Sequence, residues 1–154
     1  MVLLALQGLP HRRTILAKRT QERQSLLNSH RQSRWITVDL EERLITFSVL
    51  IIEIVNEMPN TKAGNHLSGQ LVRSGTSVSL NYGEAQSGES RRDFIHKMKV
   101  VLKELRESFV CLKIIHRTKL YKTEMKIENA LKENNELISI FVKSIETAQN
   151  NLNA

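Results

Sequence analysis

The side chains able to do chemistry in this 154-residue chain are few. Five histidines (His11, His30, His66, His96 and His116) and one cysteine, Cys111, are the soft ligands and nucleophiles on offer. His96 and His116 lie 20 positions apart. On one helix that is about 30 Å, too far to share an ion within a chain. Carboxylate di-iron bundles use Glu-x-x-His on two helices plus two further Glu. The nearest match is the single Asp93-x-x-His96. HExxH, GxGxxG and the phosphate-loop pattern are absent, so no metal and no cofactor is expected. Cys111 stands among Val110, Leu112, Ile114 and Ile115, the setting of a buried, inert thiol. A lone cysteine forms no internal disulfide and suits a reducing, cytoplasmic compartment. Asp93 beside Arg92 reads as a helix-start acid rather than a general base. No catalytic constellation emerges, and the chain is expected to be non-enzymatic. The chemistry left over is charge. Arg91, Arg92, Lys99, Lys103, Arg106 and Lys113 crowd one segment, and clustered cations of this kind recognise phosphate with little regard for base sequence.

The placement of charge sharpens that reading. The net charge is +7, but residues 1–34 hold seven basic and one acidic side chain, so most of the excess sits there. Residues 39–57 sum to −4, with Arg43 against Asp39, Glu41, Glu42, Glu53 and Glu57. Residues 91–122 sum to +7, and residues 123–154 to −2. A basic segment between acidic ones has two explanations. It matches acidic helices in the same molecule or in a neighbouring subunit, or it faces a polyanion.

These cations need a scaffold, and the hydrophobic pattern supplies helices. Aromatics make up 5% of the chain, and both prolines, Pro10 and Pro59, precede residue 60. That composition suits long helices rather than a many-stranded β protein. No apolar run approaches the ~20 residues of a membrane-spanning helix, so no membrane partner is expected. Leu40, Leu44, Phe47, Ile51, Ile54, Val55 and Met58 form one stripe over 40–57, with Asp39 as N-cap and Pro59 as terminator. Leu67, Leu71, Val72, Val78 and Tyr82 give a second helical face, crowded by Gly69, Ser74, Gly75 and other small residues. Two glycines in one helix predict a backbone lying close to another helix; a break near Gly75 is the alternative. Ser90 can cap a third helix reaching His116, with Ile95, Met98, Leu102, Leu105, Phe109 and Leu112 as a heptad seam flanked by Phe94 and Val101. At about 100° per residue, Arg92, Lys99, Lys103, Arg106, Lys113 and Arg117 fall within an arc of about 80° beside that seam. A fourth helix over 123–150 turns Ile127, Leu131, Leu137 or Ile138, Phe141, Ile145, Ala148 and Leu152 inward, with Asn134 on the same face. Four amphipathic helices with short connections predict an all-α, antiparallel up-down four-helix bundle over 36–152. Residues 1–35 read as a basic, loosely attached N-terminal extension. Their apolar start precedes the positive charge, the reverse of a signal peptide, and a translated upstream region is the other reading.

One block adds more than periodicity. The elements QLVRSGTSV (Gln70 to Val78), NYGEA (Asn81 to Ala85), SRRDFIHKM (Ser90 to Met98) and LKELRES (Leu102 to Ser108) are similar to the bacterial four-helix bundle proteins named after the intervening sequences of large-subunit ribosomal RNA genes. With the flanking helices the resemblance covers about residues 36–150. Cys111, where many relatives carry Trp, and Ser79-Leu80 before NYGEA depart from it in packing-compatible ways. The resemblance implies a small cytosolic bundle assembled as a ring of identical chains, typically a pentamer. The related accessory proteins of diversity-generating retroelements engage a reverse transcriptase and nucleic acid. Arg73, Asn81 and Glu84, the polar residues of the shared block, are expected to form a hydrogen-bond network joining the second helix to the third or to a neighbouring subunit. Two functions follow from the sequence. One is an oligomeric scaffold binding structured RNA or DNA through Arg91, Arg92, Lys99, Lys103, Arg106 and Lys113. The other is a protein-directed assembly module with no nucleic-acid role.

Overall fold

The computed structural model describes residues 21–25 and 40–153. The chain divides into two units, Met1–Leu40 and Glu41–Ala154. In the first, residues 21–25 form a short, exposed helical segment. The expected boundary at 35/36 and the Asp39 cap lie outside the described residues. The second unit is built from α1 (40–56), α2 (Lys62–Gln86), α3 (Arg91–Arg117) and α4 (Glu124–Asn153), with no strand among the described residues.

Local chemistry sets the helix ends. Thr61 caps α2 by accepting from the Gly64 amide, and Ser90 caps α3 by accepting from the Asp93 amide. Each satisfies a donor that the first turn leaves orphaned. α3 ends in a Schellman turn, with the Leu120 amide bonded to the Ile115 carbonyl and the Lys119 amide to the His116 carbonyl. Lys119 holds the left-handed position at φ 53°, where glycine is usual.

Side-chain pairs fix the topology. Between α1 and α2, Ser48 meets Ser79 and Ile51 meets Gly75. Between α2 and α3, Arg73 pairs with Glu107 and Glu84 with Lys97. Arg91 at the start of α3 reaches Asn151 near the end of α4, and His116 in the last turn of α3 faces Glu124 at the start of α4. Arg43 pairs with Glu133 and Glu136, and Glu57 with Lys126, linking α1 to α4. In every set the partner's number falls as the first rises, so each neighbouring pair is antiparallel. The helices close as an up-down-up-down four-helix bundle.

The core is the sum of the four stripes. Leu44, Phe47, Ile51 and Ile54 of α1 are buried with Leu71, Val78 and Tyr82 of α2, as are Ile95, Met98, Val101, Leu105 and Leu112 of α3 and Ile127, Leu137, Phe141 and Ile145 of α4. Tyr82 and Phe141 meet edge to face across the bundle, ring centres 5.8 Å apart. Leu137, not Ile138, takes the inward position. Leu152 does not turn inward but lies 41% exposed, because α4 there runs out at the end of the bundle.

α2 is continuous through Gly75, and its small residues face two neighbours. A Cβ at Gly75 would sit 2.7 Å from Ile51 Cγ2 and 2.8 Å from Cγ1. Ser48 donates to the Gly75 carbonyl at 3.0 Å and pairs with Ser79 at 2.9 Å. On the α3 side, buried Ser108 donates to buried Ser74 at 2.8 Å. Gly69 corrects the expectation of two close approaches, since nothing lies within 4 Å of its missing Cβ.

Two stability predictions follow from this packing. Alanine at position 75 would gain about 1 kcal/mol of helix propensity, but overpacking against a β-branched side chain costs about 1–3 kcal/mol. Gly75→Ala is therefore expected to lower stability by about 1 kcal/mol in chemical denaturation. In an Ile51→Ala background the same change should cost less, a coupling that a double-mutant cycle reads directly. Asn134 is fully buried, with neither side-chain oxygen nor nitrogen hydrogen-bonded. Desolvating such a group costs about 1–3 kcal/mol, so Asn134→Leu is expected to raise Tm, measured by circular dichroism.

Candidate nucleic-acid interface

The interface begins with the cause of α3. Its apolar seam, Ile95, Met98, Val101, Leu102, Leu105, Leu112 and Ile115, is buried against the other helices. That fixes the rotation of the helix and turns the opposite face to solvent. Asp93 in the first turn and His116 and Arg117 in the last oppose the helix dipole favourably. Arg91, Arg92, Lys99, Lys103, Arg106 and Lys113 are all exposed. From Arg92 to Lys113 the stripe spans about 32 Å at 1.5 Å per residue.

Arg92, Lys99, Lys103, Arg106 and Lys113 make no ion pair among the described residues. The ion pairs lie elsewhere. Arg43 holds Glu133 through Nη2 at 2.9 Å and Glu136 at 2.6 Å, and Glu133 and Glu136 raise the guanidinium's pKa. Lys126 lies 2.8 Å from Glu57 and 3.5 Å from Glu53. Lys126 and the Tyr121 hydroxyl, which also donates to Glu57, hold that carboxyl below the usual range. So Glu53 and Glu57 on one side and Glu133 and Glu136 on the other are matched across the α1–α4 seam and not by the cationic stripe of α3.

The stripe is not uniform along its length. Arg91 lies off it, about 100° around the helix from Arg92. Its Nη1 donates to the Asn151 carbonyl at 2.9 Å, one of the acceptors that the end of α4 leaves open. Arg91 and Lys143 border an open cleft of about 560 Å³ with Phe94 and Ile140 on its walls. Arg92 and Lys99 border a second, of about 200 Å³, with Ile95, Gln149 and Leu152. Lys143 was not among the residues expected from sequence. It belongs to α4 and joins the cationic group only through the antiparallel packing of α4 on α3. Toward the C-terminus the stripe changes character. Val110 is 57% exposed and Ile114 42% exposed among Arg106, Lys113 and Arg117. Lys113 lies over the Phe109 ring, 5.3 Å from its centre, a cation–π contact that keeps its charge.

Arg73 and Glu84 each join α2 to α3, through separate contacts. Arg73 donates to Glu107 of α3 at 2.9 Å and to Gln70 of its own helix at 2.8 Å. Glu84 pairs separately with Lys97, whose pKa it raises. Asn81 bonds only to the Ser77 carbonyl, one turn back in α2. Arg73 and Glu84 are 11 residues apart, about 16 Å along the axis, so one network cannot hold both. Cys111 is buried, donates to the Leu67 carbonyl at 3.5 Å, and its thiol is pushed up to about 11 by burial and then by Glu107. At neutral pH it is protonated and a poor nucleophile.

Comparison with known proteins agrees with this architecture. No curated protein matches the chain. A crystal structure of a protein of unknown function from the S23 ribosomal protein family of Bacteroides thetaiotaomicron is 30% identical, superposes with a TM-score of 0.63, and covers 68% of this chain and 96% of its own. The family model described as 23S rRNA-intervening sequence protein matches residues 38–143, which take in α1, α2, α3 and most of α4. The chain therefore belongs to the 23S rRNA-intervening sequence protein family.

Proposed function

We propose that this protein is a non-enzymatic homo-oligomeric scaffold of the cytoplasm, binding structured RNA or DNA through Arg91, Arg92, Lys99, Lys103, Arg106 and Lys113. One observation carries the reading. A row of exposed cations on α3 meets no carboxylate among the described residues, while Arg43, Arg73, Lys97, Lys119 and Lys126 are each paired. Straight rows of unpaired cations repel one another, and a phosphate backbone relieves that repulsion by displacing condensed counterions. The described stripe carries no aromatic platform beyond Phe109, which lies under Lys113. The contact therefore runs to the backbone rather than to stacked bases.

A second reading, a protein assembly module, has its own support. Ile45, Val49 and Ile52 form an exposed apolar row on α1, 42%, 49% and 41% accessible, among Glu41, Glu42 and Glu53. On α3, Val110 and Ile114 lie among cations. Two surfaces of like apolar character and opposite charge are suited to a head-to-tail contact between copies.

Charge reversal in the full chain separates the two. With about five phosphate contacts, log affinity for duplex RNA should fall with log salt at a slope of about −4.5, taking about −0.9 per contact as for B-form DNA. Lys99→Glu with Lys103→Glu is expected to weaken binding at least tenfold at about 0.15 M salt and to flatten that slope by about 2. An unchanged affinity and slope would assign the retention to the basic N-terminal residues and defeat the proposal. Analytical ultracentrifugation gives the other half. If the double variant loses its assembly mass and no RNA affinity, the assembly reading wins. In that reading Val49→Glu should also shift the mass toward the monomer.

A further inference from the structure

Where α3 ends and α4 begins, three ligand atoms converge. His116 occupies the last turn of α3, and Glu124 and Glu128 follow one another by a single turn at the start of α4. His116 Nε2 lies 3.5 Å from Glu124 Oε1 and 3.8 Å from Glu128 Oε1. All three ligand atoms lie within 4.8 Å of one another, the one such cluster among the described residues.

The imidazole makes this more than an acidic patch. The ring is 31% exposed, yet its Nε2 is covered and has no hydrogen-bond partner. A covered nitrogen without a close hydrogen-bond partner, facing two carboxylates, leaves space for a cation between them. The spacing says what would fit. Ligands at about 2.1 Å from a tetrahedral zinc ion stand about 3.4 Å apart, close to both nitrogen–oxygen separations. A neutral imidazole and two carboxylates carry a charge of −2, the complement of one divalent cation. A cavity of about 200 Å³ bounded by His116, Lys119, Tyr121, Lys122, Glu124 and Ile127 leaves room for water as a fourth ligand.

We infer that His116, Glu124 and Glu128 bind one divalent transition-metal ion, such as zinc, and so pin the α3–α4 joint. An imidazole ligand selects such ions over magnesium and calcium, which favour all-oxygen sites. Lys119 is the internal competitor. Its ammonium pairs with Glu124, first among the causes that lower that carboxyl's pKa, and it must swing away when the ion enters. The site is independent of the cationic stripe and stands or falls without it.

Isothermal titration of the full chain with zinc chloride tests this. One zinc per chain is expected, with a rise in Tm on binding. His116→Ala and, separately, Glu128→Gln should each weaken binding at least tenfold and remove the Tm rise. Lys119→Gln should tighten it. Glu128 is exposed, so its variant keeps the test valid even if the His116 change disturbs packing. Zinc bound with unchanged affinity by both variants would place it on other histidines and overturn the site. So would an absence of binding by the unaltered chain, or displacement of zinc by millimolar magnesium.

Discussion

The bundle depends on how closely its helices approach α2. At Gly75 the side chain of Ile51 occupies the space that a Cβ would need. Ser48 takes the Gly75 carbonyl in the same place, so the apolar and polar contacts fix one distance together. On the other side of α2, Ser74 and Ser108 set the separation of α3 with a buried hydroxyl pair. Small residues let backbones come together, and the hydroxyls among them keep their hydrogen bonds inside the seam. Once α3 is held at this distance with its seam inward, its rotation is determined. The direction in which its cations point follows from that rotation.

The number and order of the helices were legible because the apolar stripes keep a helical period over more than a hundred residues. The seam of α3 is the clearest case: of its six expected residues Ile95, Met98, Leu102, Leu105 and Leu112 are buried, and Phe109 is half-buried beneath Lys113. What periodicity cannot give is the distance between helices. Gly69 and Gly75 look alike in sequence, yet only Gly75 faces a neighbour, because only Gly75 falls opposite Ile51 in the register of α1. Arg73, Asn81 and Glu84 share a side of α2 but not a height, and height decides which residue of α3 each can reach. Lys143 and the trio His116, Glu124 and Glu128 escaped notice for the same reason. Their members come from different helices, and a spacing rule applied along one helix has no access to such pairs.

Electrostatics follows from the topology. In an up-down ring of four, α1 has α2 and α4 as neighbours and stands diagonal to α3. Neighbouring helix axes lie 8–10 Å apart, so a diagonal separation is about 13 Å. That exceeds the ~8 Å screening length at physiological salt. The acids of α1 and the cations of α3 therefore sit where they neutralise each other least. Glu53 of α1 and Glu57 just beyond it find Lys126 of α4 instead, and Arg43 of α1 takes Glu133 and Glu136 of α4. The result is a molecule with an acidic edge and a basic edge, a polarity that no net charge reveals.

Such polarity orients whatever approaches. A polyanion meets α3 first, because the field of α1 repels it on the far side. In the proposed assembly a second copy of the chain would be steered to the same edge by its own α1, so the two proposed uses of α3 would compete for one surface. The structure contains a way to divide it. The N-terminal half of the stripe carries Arg92, Lys99 and Lys103, with one cleft lined by Arg92 and Lys99 and another lined by Arg91 and Lys143. The C-terminal half mixes Arg106, Lys113 and Arg117 with exposed Val110 and Ile114. Apolar area is of no use to a phosphate backbone and of direct use to a subunit contact. A helix about 40 Å long has room for both. In an assembly held through the C-terminal half, the cationic N-terminal halves of successive copies would recur around the ring as a multivalent phosphate surface, where avidity replaces strong contacts at any single site.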